Sequence, residues 1–171
     1  MLLYGEFPFD PNAREAFTSG ELREDWFRRY PILFEGQERV LAEHQPKNHF
    51  FEWLGAIRIY EETGWLCLLE KYQFRQHARK HELFTSLVPH NVSHLLTDSH
   101  FFGARQGPDL FVYALDRTDW FFCEVKGGPD RLRETQSALF ATLERMTGRP
   151  VRLIRFVPES LSPSKGNHDG A

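Results

Sequence analysis

Two mainly apolar runs, at positions 110–115 and 120–125, combine aromatic, aliphatic and β-branched side chains, a composition typical of β-strands, and Glu124 is their one charged residue. The polar residues 116–119 (DRTD) separate them, so the pattern predicts a β-hairpin. Apolar side chains occupy successive positions in both runs rather than alternate ones. Strands of this kind are usually buried on both faces, and we therefore expect the hairpin in the interior of the fold.

The elements expected around the hairpin are a helix over 48–63, a strand over 65–72, a helix over 130–147 and a closing strand over 151–157. Asn48 and Asp130 are the expected N-caps of the two helices, and Gly64 and Gly148 are their expected ends. The order helix, strand, insertion, strand, strand, helix, strand predicts an α/β domain with a mixed sheet flanked by helices.

The ends of the chain have weaker patterns than its centre. Short helices are expected over 10–20, 21–30 and 35–45, which makes residues 1–47 an N-terminal helical extension of a domain over 48–158. An insertion over 90–105 is expected to be loop with a short helix. Residues 159–171 are rich in Ser, Pro and Gly without periodicity, and predict a disordered tail.

Three charged residues fall at the open end of the hairpin: Asp109, Glu124 and Lys126. A symmetric four-residue turn would place Asp109 opposite Lys126 and Phe111 opposite Glu124. Side chains alternate along a strand, so all three charged groups would then share one face. A one-residue slip of the register would break this arrangement.

Carboxylates that converge at the end of a sheet provide hard oxygen ligands, which suit Mg²⁺ or Mn²⁺. The carbonyl of Val125 could add a ligand from the same place. Lys126, two residues after Glu124, could stabilise a developing phosphorane charge or hold an attacking water molecule. These are the groups that phosphodiester hydrolysis requires.

A purely structural interpretation of the same residues is also available. Asp109 could be a turn residue after Pro108, and Glu124 with Lys126 could be an ordinary ion pair at the edge of a sheet. A cluster of charges at the end of a buried hairpin is costly unless something compensates it, however, and a bound metal would do so. We therefore favour the functional interpretation.

The order of these residues resembles the PD-(D/E)xK nuclease superfamily, in which a Pro-Asp pair, a strand and a Glu-x-Lys on the next strand follow one another. Here they are Pro108-Asp109 and Glu124-Val125-Lys126. Residues 122–132 (FCEVKGGPDRL), followed by Gln136, resemble more narrowly the VRR-NUC branch, the virus-type replication and repair nuclease domain. The close resemblance covers about the last third of the chain, and a looser one extends back to Asn48.

The resemblance implies a restriction-endonuclease-like core and a Mg²⁺- or Mn²⁺-dependent DNA endonuclease, with a possible preference for flapped or branched repair intermediates. It implies that Asp109, Glu124 and the Val125 carbonyl bind the metal, that Lys126 activates water and that Gln136 reaches toward them. It also implies an acidic residue on the helix before the first strand. We choose Glu52 for this residue, since it lies among the small or apolar neighbours Gly55, Ala56 and Ile59. The alternative is that Glu52 is an ordinary exposed carboxylate of the helix. Other candidates for the acidic residue are Glu61, Glu62 and Glu70.

Charge limits how the chain could meet DNA. The formal net charge is −3, so a general nucleic-acid coat is excluded and contact must come from local basic patches. Between positions 126 and 155 there are 7 Lys and Arg against 3 Asp and Glu. The candidate DNA-contacting residues are Arg75, Arg79, Lys80, Arg131 and Arg133. A solvated helix face is the alternative for the first three.

Composition adds expectations about the environment. Cys67 and Cys123 lie inside expected strands, which predicts small buried hydrophobes in a reducing compartment rather than metal ligands. The N-terminus lacks the pattern of a signal peptide, and no apolar run approaches the ~18 residues of a membrane span. We expect a cytoplasmic protein that pairs as a homodimer.

Two other classes of function remain open on the sequence. The first is a nuclease-like fold that binds DNA or assembles with other proteins without turnover, and it would retain DNA binding but not cleavage. The second is a metal-free structural protein stabilised by a pair between Lys126 and Asp109, in which divalent ions leave thermal stability unchanged.

Overall fold

A computed structural model of the chain describes residues 1–97 and 107–159. Its elements, in chain order, are β1 (Leu2–Phe9), α1 (Ala13–Ser19), α2 (Glu21–Arg29), α3 (Gln37–His44), α4 (Phe50–Thr63), β2 (Leu66–Leu69), α5 (Ala78–Leu87), α6 (His90–Thr97), β3 (Leu110–Tyr113), β4 (Trp120–Gly127), α7 (Glu134–Thr147) and β5 (Arg152–Pro158). The expectations of a loop over 98–105 and of a disordered tail beyond 159 lie outside the described residues.

The five strands form one mixed sheet in the order β1-β5-β4-β3-β2. Strand β3 is antiparallel to both of its neighbours, β2 and β4. Strands β4, β5 and β1 run parallel to one another. The parallel step from β4 to β5 is made through α7, because parallel neighbours require a long crossover. The prediction of an α/β fold with a mixed sheet flanked by helices is confirmed.

The β3–β4 hairpin exists, but its predicted register was wrong by two residues. Tyr113 faces Trp120 and Leu110 faces Cys123, and the turn therefore covers residues 115–118 instead of 116–119. The reason is Leu115, an apolar residue that was assigned to the strand but is 60% exposed. An even-numbered slip keeps every side chain on its predicted face, so the shared face of the charged residues survives.

The sheet is covered on both sides, as the apolar pattern of the hairpin predicts. On one side, Leu110, Val112, Phe121 and Cys123 pack in a cluster with α1, α2 and α4. On the other, Phe111, Trp120 and Phe122 pack with apolar side chains of α5, α6 and α7. Every residue of β4 is buried.

Helix α4 lies at the centre of the first layer. Gly55 approaches the sheet so closely that a Cβ there would stand 3.1 Å from Cγ2 of Val125. On its opposite side, Trp53 stacks near Phe34 at a ring distance of 4.5 Å. The helix ends at Gly64 as predicted, but it begins after His49, which replaces Asn48 as the N-cap residue.

The N-terminal segment differs from the helical extension predicted for 1–47. Its three helices are present with shifted ends, but residues Leu2–Phe9 form β1, which pairs in parallel with β5. Gly5 and Pro8 hid this strand, because both residues are unfavourable in strands and pairing with the far end of the chain leaves no local signal. The segment also shares one hydrophobic cluster with α4 and the sheet.

Helix α7 begins three residues later than predicted. Its N-cap is Arg133 rather than Asp130, and Gln136 accepts a bond from the Arg133 backbone N–H at 3.1 Å. The chain turns first through Gly128, whose φ of 58° lies in the left-handed region that favours glycine. The buried face of α7 contains Leu139, Phe140 and Leu143 as expected.

The two cysteines and the lengths of the helices bear on the expectations drawn from composition. Cys67 and Cys123 are buried free thiols inside the strand core, as predicted. Across residues 1–97 and 107–159, no helix has the length and apolar character needed to cross a membrane.

Candidate functional site

Each of the two carboxylates at the end of the hairpin accepts a hydrogen bond from the backbone of the opposite side of the hairpin. Asp109 stands opposite Glu124 in the observed register, and its backbone N–H donates to Oε2 of Glu124 at 3.3 Å. In return, the N–H of Val125 donates to Oδ2 of Asp109 at 2.9 Å. Because these bonds use the strand backbone, both carboxylates are fixed relative to the sheet.

Lys126 and Gln136 converge on the same carboxylate. The Lys126 ammonium lies 2.7 Å from Oε1 of Glu124, and the Gln136 amide donates to that oxygen at 2.7 Å. The Glu124 side chain is fully buried. The structure thus brings together four residues singled out in the sequence. The metal-free structural interpretation required a pair between Lys126 and Asp109, whereas Lys126 pairs with Glu124.

Burial opposes ionisation of both carboxyl groups, and repulsion from neighbouring carboxylates adds to this effect at Asp109. The pKa of Asp109 is raised well above its usual value, first by burial and then by the charges of Glu124 and Glu52. Burial also raises the pKa of Glu124, and this increase persists although Lys126 acts to lower it. A cation placed at these oxygens would reverse both effects, because it favours the charged forms.

The segment around Asp109 is held by Tyr72, which was not expected at the site, and by the backbone of Glu70, which was expected only as a rival to Glu52. The Tyr72 hydroxyl donates to the Pro108 carbonyl at 2.7 Å, and the Glu70 backbone N–H donates to the Asp109 carbonyl at 3.0 Å. Tyr72 is completely buried. Its position as the last residue of the strand expected over 65–72 carried no signal for this role, which depends on packing across the sheet.

Glu52 lies beside the site but makes its closest polar contact elsewhere. Its Oε1 is 3.5 Å from Nδ1 of His49, and the same nitrogen is 3.4 Å from Oε1 of Glu70. Burial lowers the pKa of His49, but the bond to Glu52 and the charge of Glu70 outweigh it and the net shift is upward. His49 was missed in the sequence, where its i, i+3 spacing to Glu52 was the available signal.

The first group of basic residues only partly fits a DNA surface. Lys80 is buried, and its ammonium contacts Glu38 at 2.8 Å and the Leu69 carbonyl at 2.7 Å. It therefore fixes helices to the sheet and does not present its charge to solvent. Arg79 is exposed and contacts Glu35 at 3.1 Å, while Arg75 is exposed.

The second basic group lies nearer the carboxylates. Arg131 and Arg133 are exposed in the segment that connects β4 to α7, directly after Lys126 and Gly127. Arg155 stands next to Lys126 on the neighbouring strand β5. This end of the sheet therefore carries positive charge outside a buried acidic centre, which is suited to a polyanion.

Comparisons with protein-family models, with curated proteins and with solved structures find no match to this chain. The fold and the site define it as a mixed α/β protein with an Asp-Glu-Lys-Gln cluster around the buried Glu124 at the end of a central hairpin.

Proposed function

We propose that the protein is a divalent-metal-dependent nuclease of the PD-(D/E)xK type that hydrolyses phosphodiester bonds in DNA. The single observation that carries this proposal is the convergence of four side chains: Asp109 and Glu124 are both held by backbone N–H groups at the end of the hairpin, and Lys126 and Gln136 contact Glu124. Burying two carboxylates this close together weakens the free protein. Such a cost is typical of a site that is maintained for ligand binding.

The donor set fits a hard divalent cation. Asp109, Glu124 and the carbonyl of Val125 would hold Mg²⁺ or Mn²⁺, since both ions prefer oxygen ligands. When bound, the ion would polarise a phosphoryl oxygen and favour formation of hydroxide from water. Glu52 would support this set only through its charge, because its contact is with His49.

The chain's own residues have separable tasks in this proposal. The Lys126 ammonium would hold the attacking water and stabilise the charge that develops on the phosphoryl oxygens. Gln136 would keep Glu124 oriented through its 2.7 Å bond. Arg131 and Arg133 would bind flanking phosphates and would contribute salt-dependent affinity without sequence preference.

The element order supports the same class. The sequence α4, β2, insertion, β3, β4, α7, β5 places one helix before three antiparallel strands and a second helix before a parallel strand. A restriction-endonuclease-like core and a VRR-NUC identity remain proposals that rest on this order and on the motif. A preference for flaps or junctions, a homodimer and a cytoplasmic location are proposed on the resemblance or composition alone.

Cleavage of labelled DNA tests the proposal directly. Duplex, 5′-flap and four-way-junction substrates would be incubated with the protein and Mn²⁺, Mg²⁺ or EDTA. We expect metal-dependent cleavage that Asp109→Asn and Lys126→Met each reduce by about 10³-fold, since each removes a group that acts on the reacting phosphate. Asp116→Asn, an exposed carboxylate in the hairpin turn, is the matched control and should retain full activity.

Three outcomes separate the alternatives. Cleavage lost in both variants and kept in the control would establish the nuclease. Tight DNA binding by the intact protein without cleavage under any metal would favour a binding module. Neither binding nor cleavage would reject both.

A further inference from the structure

His49, Glu52 and Glu70 form a cluster beside the Asp109–Glu124 pair. They come from three places in the chain: the N-cap of α4, the first turn of α4 and the residue directly after β2. One ligand atom from each lies within 4.8 Å of the other two. Two glutamates held this close repel each other, so a cation between them would stabilise the arrangement.

The imidazole of His49 is oriented as a ligand. Its Nε2 lies 3.1 Å from the side-chain oxygen of Gln45, and because an amide oxygen only accepts, Nε2 carries the hydrogen. In the neutral ring the lone pair is then on Nδ1, which is buried, faces both glutamates and makes no well-formed hydrogen bond. The side chain is only 10% exposed. Metal-bound histidines are commonly oriented by such a bond from the other ring nitrogen.

The spacing of the ligand atoms also suits a small cation. Nδ1 of His49 is 3.5 Å from Oε1 of Glu52 and 3.4 Å from Oε1 of Glu70. Ligand atoms ~2.1 Å from a divalent ion stand roughly 3.0–3.4 Å apart in octahedral or tetrahedral coordination. The two distances to Nδ1 are close to these values, and the carboxylate oxygens of Glu52 and Glu70 lie within 4.8 Å of each other.

We propose that His49, Glu52 and Glu70 bind a second divalent cation, separate from the one held by Asp109 and Glu124, and that this site selects transition ions such as Mn²⁺ or Zn²⁺ over Mg²⁺. The selectivity follows from the imidazole, which suits transition ions, whereas Mg²⁺ prefers an all-oxygen set. The Glu70 backbone N–H donates to the Asp109 carbonyl, so the two sites adjoin. Binding at the second site does not depend on nuclease activity; only a catalytic role for it rests on the proposed function.

Spectroscopy of Mn²⁺ bound to the full chain tests this site without an activity assay. We expect about two Mn²⁺ equivalents by calorimetry, and an electron spin-echo signal from Mn²⁺ coupled to an imidazole nitrogen. His49→Asn should abolish the nitrogen coupling and one binding event, and Asp109→Asn should remove the other binding event. Asparagine is chosen because it tolerates the left-handed backbone of His49, whose φ is 64°.

Two further variants keep the test decisive. Glu70→Gln retains the shape of the side chain and should weaken the nitrogen-coupled Mn²⁺ by at least about 10-fold, which is informative even if His49→Asn folds poorly. His44→Asn, at the exposed end of α3, is the matched histidine control and should change nothing. Addition of Mg²⁺ should displace Mn²⁺ from the Asp109 site before it displaces the nitrogen-coupled ion.

The possible failures are distinguishable. If no nitrogen coupling appears, or if it survives His49→Asn, then His49 is a protonated internal partner of the two glutamates and the second site is rejected, while cleavage by the Asp109 site could still be found. Nitrogen-coupled Mn²⁺ in a protein that never cleaves DNA would support the second site and reject the proposed function.

Discussion

At the scale of single residues, Asp109 combines a fixed position with an unfavourable charge. Its carboxylate accepts a bond from the Val125 N–H, but burial and the neighbouring Glu124 and Glu52 raise its pKa well above the usual value. The folded protein therefore binds this proton more tightly than the unfolded chain does. Stability from this group is greatest at low pH and is lost as the pH rises above 3.8, its ordinary pKa.

Asp109→Asn should for this reason stabilise the metal-free protein. In EDTA, we expect its Tm to exceed that of the native chain by at least about 2–4 °C at neutral pH, which corresponds to about 1 kcal/mol for a chain of this size. The difference should disappear as the pH falls toward 4. Thermal melts followed by circular dichroism from pH 4 to pH 8 measure it.

Asp116→Asn is a control in which the pKa of the native carboxyl group is shifted in the opposite direction. Hydrogen bonds from Thr118 lower the pKa of Asp116, so this carboxylate stabilises the fold above its usual titration range and the effect is lost as the pH falls. Its replacement should lower the Tm slightly at neutral pH or leave it unchanged. A lower Tm for Asp109→Asn at every pH would show that repulsion does not dominate at the hairpin.

At the scale of elements, α4 is fitted to the sheet through Gly55. A Cβ at this position would lie 3.1 Å from Cγ2 of Val125 and 3.6 Å from Cδ1 of Leu110. The first residues of the same helix carry His49 and Glu52 to the end of the sheet. The depth at which α4 packs therefore also sets the distance between Glu52 and the hairpin carboxylates.

Gly55→Val should displace α4 from the sheet. Overpacking of this kind costs roughly 1–3 kcal/mol, which urea denaturation would detect as a lower midpoint. Arg58→Val on the same helix has the same β-branched side chain at a half-buried position, and it should cost much less. Equal losses in the two variants would attribute the effect to helix propensity and not to close packing.

Lys80 and Glu38 connect α5 and α3 to the end of β2. Their side chains are 6% and 10% exposed, and Lys80 also contacts the Leu69 carbonyl. Lys80→Met would leave Glu38 buried without its cation, so we expect a loss of about 3–5 kcal/mol in the free energy of unfolding. The double variant Lys80→Met, Glu38→Met should recover a large part of that loss.

Arg79→Met provides the comparison for this ion pair. Its contact with Glu35 is 3.1 Å long but both side chains are about two-thirds exposed, at 65% and 68%. A pair of this type contributes about 0–1 kcal/mol. Urea denaturation of the three variants measures these differences. An equal loss of stability in Arg79→Met and Lys80→Met would contradict the structural role proposed for the buried Lys80–Glu38 pair.

At the scale of the whole molecule, the N-terminal segment belongs to the body of the fold. Strand β1 pairs with β5 from Leu2 to Phe9, and α1 and α2 contribute to the cluster that buries α4. Without β1, strand β5 would become an unprotected edge. Such edges favour association with other chains.

A chain that starts at Asp10 should accordingly fold poorly. We expect a fall in Tm of more than about 10 °C or soluble aggregates in size-exclusion chromatography, because an apolar strand edge is uncovered. The double variant Leu2→Ser, Leu3→Ser removes exposed side chains but keeps the strand backbone, and it should remain close to the native chain. A truncated chain that melts like the intact one would make β1 an accessory strand.

The sequence by itself determined the local elements and the faces of the central hairpin. Aromatic and β-branched runs specify strands, and apolar runs specify burial on both sides, so the face shared by Asp109, Glu124 and Lys126 was predictable even though the register was wrong by two residues. The approach of Gln136 to the carboxylates, which the resemblance implied, is present as well, because its amide donates to Glu124.

The tertiary structure alone decided which distant residues meet. Strand β1 had no local signal because its partner β5 lies at the other end of the chain. Burial of Lys80 depended on Glu38, which is far away in sequence. The contact of His49 with Glu52 and Glu70 required α4 and β2 to pack together. Periodicity describes each element alone, whereas these contacts depend on how elements pack, and packing is set by the whole core.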